Sequence, residues 1–167
     1  MRRFRALEKA HKAGKPVSLV EVLQAQIEPM FMLPAPNSAD ARALRVLMGR
    51  ALTDPSEEVV TVMAEIFSES GNLFFSLLKK AAPNVNHSEF YWRANCVVGA
   101  FTFAESFSDR LTQFIDEDLS EIDWAAASQY VVRFVVAGMR APAASIATPD
   151  RARRTTAKRK KSRPRAA

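Results

Sequence analysis

Two stretches of this chain carry more apolar side chains than one face of a helix can hold. From residue 89 to 105 the only charged residues are Glu89, Arg93 and Glu105, among Phe90, Tyr91, Trp92, Ala94, Cys96, Val97, Val98, Phe101 and Phe103. A second stretch, about 121–140, runs Trp124-Ala-Ala-Ala, then Tyr130-Val-Val and Phe134-Val-Val-Ala-Gly-Met. A surface helix normally buries one stripe and leaves its other side charged. Helices apolar all round must lie central in a bundle or meet another chain. With only five or six helices to surround them, two central helices are hard to build, so the spacing favours an isologous four-helix bundle between two copies. A monomer with a central hairpin is the other solution. The outward set is Val98, Phe101, Glu105, Tyr130, Phe134, Ala137 and Gly138. Glycines within the helices, Gly99 and Gly138, suit close backbone approach.

The rest of the chain reads as all-helical, with no strand-like alternation bounded by turns. A basic segment from Arg2 to about Lys12 ends at Gly14-Lys15-Pro16. Ser18-x-x-Glu21 is a capping box opening a helix with Leu19, Val22, Leu23, Ile27 and Met30 on one face, stopped by Pro34 and Pro36 near Leu33. Asn37 or Ser38 starts the next, whose apolar stripe reads Leu44, Leu47, Met48 and Leu52. Asp54-Pro55-Ser56-Glu57 gives a cap with proline at the first helical position. A long helix, about 55–82, follows, in which Gly71 marks a bend or a close contact. Prolines fall between the periodic segments. Asn86 or Ser88 caps a helix to about Phe114, and acidic residues 116–121 lead to the last helix. Residues 1–141 are therefore expected to form one helical domain, and 142–167 a disordered tail.

Charge is divided unevenly. The chain totals +6, yet residues 142–167 alone carry +8 and residues 16–141 about −7. A folded surface built to track phosphates would be basic on its own account. Any nucleic-acid contact falls to the tail, around Arg159, Lys160 and Lys161, and would be non-specific. The single Cys96 excludes an internal disulfide and reads as a buried thiol. No apolar leader or run of about 20 apolar residues is present, which points to a cytoplasmic protein without a membrane partner. His11 and His87 lack partners at metal or triad spacing. Glu65, Glu69, Glu105 and Asp109, at helical intervals, read as a solvated face. No cofactor, metal or enzymatic activity is indicated.

The runs Arg45-Val-Leu-Met-Gly-Arg-Ala-Leu-Thr-Asp-Pro55, Ala82-Pro-Asn-Val85, Trp92-Arg93 through Val98-Gly-Ala100, and Phe134 to Pro142 together resemble the C-terminal domain of TetR-family transcriptional regulators. The likeness spans about residues 3–142. It implies a ligand-responsive repressor, a homodimer through the last two helices, and a small hydrophobic effector held between helices. Met30, Phe31, Met48, Phe67, Phe74, Trp92, Cys96 and Phe103 are the candidate apolar lining, with Arg93 and Asn95 as polar anchors. The helix-turn-helix head of such regulators would precede residue 1, and no equivalent lies in this sequence. The chain is thus expected to be the effector-binding and dimerisation part. A helical dimeric scaffold with a nucleic-acid-binding tail is the alternative.

Overall fold

The computed structural model describes residues 1–112, 114 and 122–143, and every described element is helical: α1 Arg2–Lys12, α2 Leu19–Phe31, α3 Ala39–Thr53, α4 Glu57–Ala81, α5 His87–Ser106 and α6 Trp124–Arg140, with a 3-10 turn at Ser108–Leu111. The tail expected to be disordered, from residue 144 on, the acidic connector at 116–121 and Arg159, Lys160 and Lys161 lie outside the described residues.

Helix starts follow the capping chemistry closely. Ser18 Oγ accepts from the Glu21 amide, Ser38 Oγ from Ala41, Asn86 Oδ1 from Glu89 and Asp123 Oδ1 from Ala126. Between Asn37 and Ser38, then, Ser38 is the cap. The Asp54 expectation fails: its carboxylate accepts from both the amide and the hydroxyl of Ser56, so the turn precedes the helix and α4 begins at Glu57. Those bonds also hold the Asp54 carboxyl below its usual range.

Helix interiors hold two corrections. Pro29 sits inside α2, against the expectation that prolines only separate segments. It lies in the last turn, where one lost hydrogen bond interrupts little, and the helix stops two residues later at Phe31 rather than near Leu33. Gly71 makes no close contact: α4 runs on through it, and no other element comes within 4 Å of where its Cβ would stand. The fifth helix ends at Ser106, not Phe114, passing into the 3-10 turn.

The core centres on α2, whose Val22, Leu23, Ile27 and Phe31 are fully enclosed together with Leu77 and Leu78 of α4. Helix α6 lies along α2, while α5 packs beside α6 and against α3. Phe4 anchors α1 by packing at a tilt on Phe74, ring centroids 5.9 Å apart, and ion pairs Arg3–Glu28 and Arg5–Glu69, both 2.6 Å, flank it. Glu69 is thus a partner of α1 rather than part of a bare acidic face.

An outward aromatic face and a buried polar hub

Helix α3 turns an unexpected side inward. Its buried residues are Ala41, Arg45 and Gly49, while Leu44, Leu47 and Leu52 of the expected stripe are exposed. The cause is Arg45, whose side chain is only 2% exposed. Its Nη1 donates to the Pro36 carbonyl at 2.7 Å and Nη2 to that of Phe31 at 3.3 Å, satisfying the loop that leaves α2. The guanidinium lies 3.6 Å above the Trp124 ring, a geometry that suits arginine's planar cation. Trp124 Nε1 in turn donates to Asn37 Oδ1 at 2.7 Å, and Asn37 Nδ2 to the Ile122 carbonyl. Asn37 therefore tethers α6 instead of capping α3.

Glu105 completes this hub. Assigned from sequence to the outer dimer face and to a solvated acidic row, it is buried in the structure, 3.7 Å from Arg45 Nε, with Ser106 Oγ donating to its other oxygen. Burial lifts the Glu105 carboxyl above its usual range, against the opposing pull of Ser106 and Arg45. Burial likewise lowers Arg45, with Glu105 opposing. One change links the two misreadings: α5 rotates its polar C-terminal turn inward because α3 presents an arginine and a glycine. A Cβ at Gly49 would stand 2.4 Å from Ser106 Cβ, so only glycine permits this helix crossing.

Of the remaining outward set, Phe101 is also in the core and Val98 is half-buried. Tyr130 and Phe134 are 67% and 71% exposed, and Ala137 and Gly138 lie on the same outer side of α6. Neighbouring α5 adds Trp92, 66% exposed, with Tyr91 and Phe103. Cys96 is exposed there too, so the expectation of a buried thiol fails. At Gly99 and Gly138 an added Cβ would meet no atom within 4 Å, which leaves both helix backbones open on this side.

The ten residues chosen as a pocket do not converge. Phe31 packs edge-on against Trp124 at 6.0 Å and Phe74 packs on Phe4, both as core. Met30 and Met48 are half-buried, whereas Phe67, Trp92, Asn95, Cys96 and Phe103 are exposed. Arg93 is a clip: Nη1 donates to the Met139 carbonyl at 2.8 Å and Nη2 to that of Pro142 at 2.9 Å, closing the end of α6, while Glu89 pairs with it. Asn95 Nδ2 donates to the Tyr91 carbonyl on its own helix. A groove of about 680 Å³ lies instead along α3, with Ala43, Val46 and Leu47 between Arg42 and Arg50. Sequence reading could have found Arg45 by noting it in register with Ala41 and Met48, at spacings of four and three.

Among the described residues no helix is long and apolar enough to cross a membrane. No curated protein and no solved structure gives a significant match. The family model for the Tetracyclin repressor-like C-terminal domain, however, matches residues 24–138, the span from the middle of α2 to the end of α6. This chain belongs to the family of Tetracyclin repressor-like C-terminal domains.

Proposed function

We propose that this chain is the dimerising, ligand-responsive part of a TetR-like transcriptional repressor acting in the cytoplasm and carrying no enzymatic activity. The outward aromatic face of α5 and α6 supports the dimer most directly. Trp92, Phe103, Tyr130 and Phe134 form a set of large exposed apolar groups of the kind that marks a subunit interface. Two copies related by a two-fold axis would pair these helices as a four-helix bundle, with Gly99 and Gly138 allowing close approach.

The effector is a small hydrophobic molecule. The α3 groove, open to solvent and floored by Ala43, Val46 and Leu47, offers such a molecule a mostly apolar surface between two arginines. Binding would shift an equilibrium between two dimer conformations, read by a DNA-binding head. Thermal melts of the 167-residue chain with a panel of apolar compounds test this. A melting temperature rising with compound concentration supports it, and no shift from any compound at millimolar concentration counts against it. The solid packing around Phe31 and Phe74 favours a second reading in that case, a helical dimeric scaffold.

A further inference from the structure

We infer that the end of the bundle where α1, α4 and α6 terminate is a polyanion-binding surface that takes the phosphate backbone of double-stranded nucleic acid. The inference is independent of effector binding.

Three chain segments meet at this end in one groove of about 560 Å³, lined by Val17–Leu19, Ala81–Val85 and Met139–Ala143. Arg140, in the last turn of α6, lines it, and the helices that lead into its other two segments finish in cations: Lys9 and Lys12 in the last turn of α1, Lys79 and Lys80 in that of α4. Lys15 stands in the turn between α1 and α2. All six are exposed. Lys12 is paired with Glu8 at 3.0 Å; the other five form no ion pair among the described residues. The acids nearby are Glu8, Glu89, which is occupied by Arg93, and Glu21. Helix C-termini do favour cations through their dipoles, but that accounts for neither Lys15, outside any helix, nor the concentration of positive charge in a body whose residues 1–141 sum to −2.

A second observation concerns where the tail leaves. Arg93 holds the Pro142 carbonyl at this end, which places Ala143 beside the groove, and the sequence that follows Ala143 carries nine Lys and Arg against Asp150. The chemistry favours nucleic acid over an anionic membrane. None of the large exposed apolar residues lies in 9–15, 79–85 or 140–143, so nothing is placed to enter a bilayer. The tail sequence also holds no aromatic residue on which unpaired bases could stack. What remains is phosphate neutralisation, which is sequence-independent and salt-sensitive.

The test is fluorescence anisotropy of a labelled duplex of about 20 base pairs with the full 167-residue chain, across a salt series. The variant Lys15→Gln/Lys79→Gln/Lys80→Gln/Arg140→Gln should weaken binding about tenfold at low salt and reduce the slope of log affinity against log salt by about 2–4. Arg159→Gln/Lys160→Gln/Lys161→Gln should weaken it further and separately. Lys15→Gln alone, outside any helix, should lower the slope by about 1, and Lys15→Arg should retain it. An unchanged slope in both Lys15→Gln and the fourfold variant overturns the proposal. So does charge-dependent binding to vesicles containing about 30% phosphatidylserine by a chain that leaves the duplex unbound.

Discussion

Gly49→Ala is the sharpest perturbation of the α3–α5 crossing. The new Cβ would meet Ser106 Cβ at 2.4 Å and Oγ at 2.5 Å, with Phe107 Cζ at 3.1 Å. Carbon atoms pack at about 3.5–4.0 Å, so the helices must part by more than about 1 Å, and the atoms met first are too close to Ser106's backbone for a rotamer change to relieve. Overpacking of this kind costs about 1–3 kcal/mol or somewhat more. Alanine's better helix propensity returns about 1 kcal/mol. A net loss of about 1–2 kcal/mol is expected, at the upper end because Glu105 and Arg45 flank the crossing. Ser106→Gly removes the clashing Cβ, and the double variant should recover about 2 kcal/mol of coupling beyond additivity. Urea denaturation at one fixed protein concentration measures this as a midpoint shift at constant slope. A neutral or stabilising Gly49→Ala, or a penalty that Ser106→Gly does not relieve, would refute the close approach.

Arg45→Ala should destabilise by about 3–5 kcal/mol, since Glu105 is left buried without its counter-charge; urea denaturation reads this, and Arg45→Lys should rescue little because it cannot reach two carbonyls and cover the Trp124 ring together. Because burial raises the Glu105 carboxyl above its unfolded value, the unfolded state releases this proton first as pH rises from the ordinary carboxylate range. Its contribution to stability therefore falls across that window and up through the raised value, and Glu105→Gln should flatten this part of the stability–pH curve. Thr102 Oγ is buried with no hydrogen-bond partner among the described residues. Thr102→Val removes an unsatisfied hydroxyl at nearly constant shape and should raise stability by about 1 kcal/mol, read from the same urea midpoints.

The elements were legible wherever a local signal decides them. Ser18, Ser38 and Asn86 bond to the amides that their capping position requires, whereas the last helix, expected from about 121, is capped by Asp123 and starts at Trp124; the all-helical class follows from the period. What periodicity could not deliver was which face turns inward. Hydrophobicity placed Leu44 and Leu47 in the core because it scores Arg45 as a surface residue. Three tertiary partners, the loop carbonyls, Trp124 and Glu105, outweigh that preference. The inward face of α3 then draws Glu105 of α5 to Arg45, which a reading of α5 by itself had no means to detect. The pocket set failed for a related reason. Met and aromatic residues serve core, groove and interface alike, so type and spacing left Phe31 undistinguished from Trp92 and Cys96, although the first is core and the other two are exposed.

Sedimentation equilibrium of the full chain over low- to high-micromolar concentrations, beside the variant Phe134→Arg, tests the dimer account directly. Phe134 is 71% exposed on α6, so the arginine should leave the fold of each protomer, monitored by circular dichroism, intact while placing a charge at the centre of the shared face. The account gives twice the chain mass for the unmodified protein and the chain mass for the variant. A monomer in both, or a dimer undisturbed by Phe134→Arg, would contradict it.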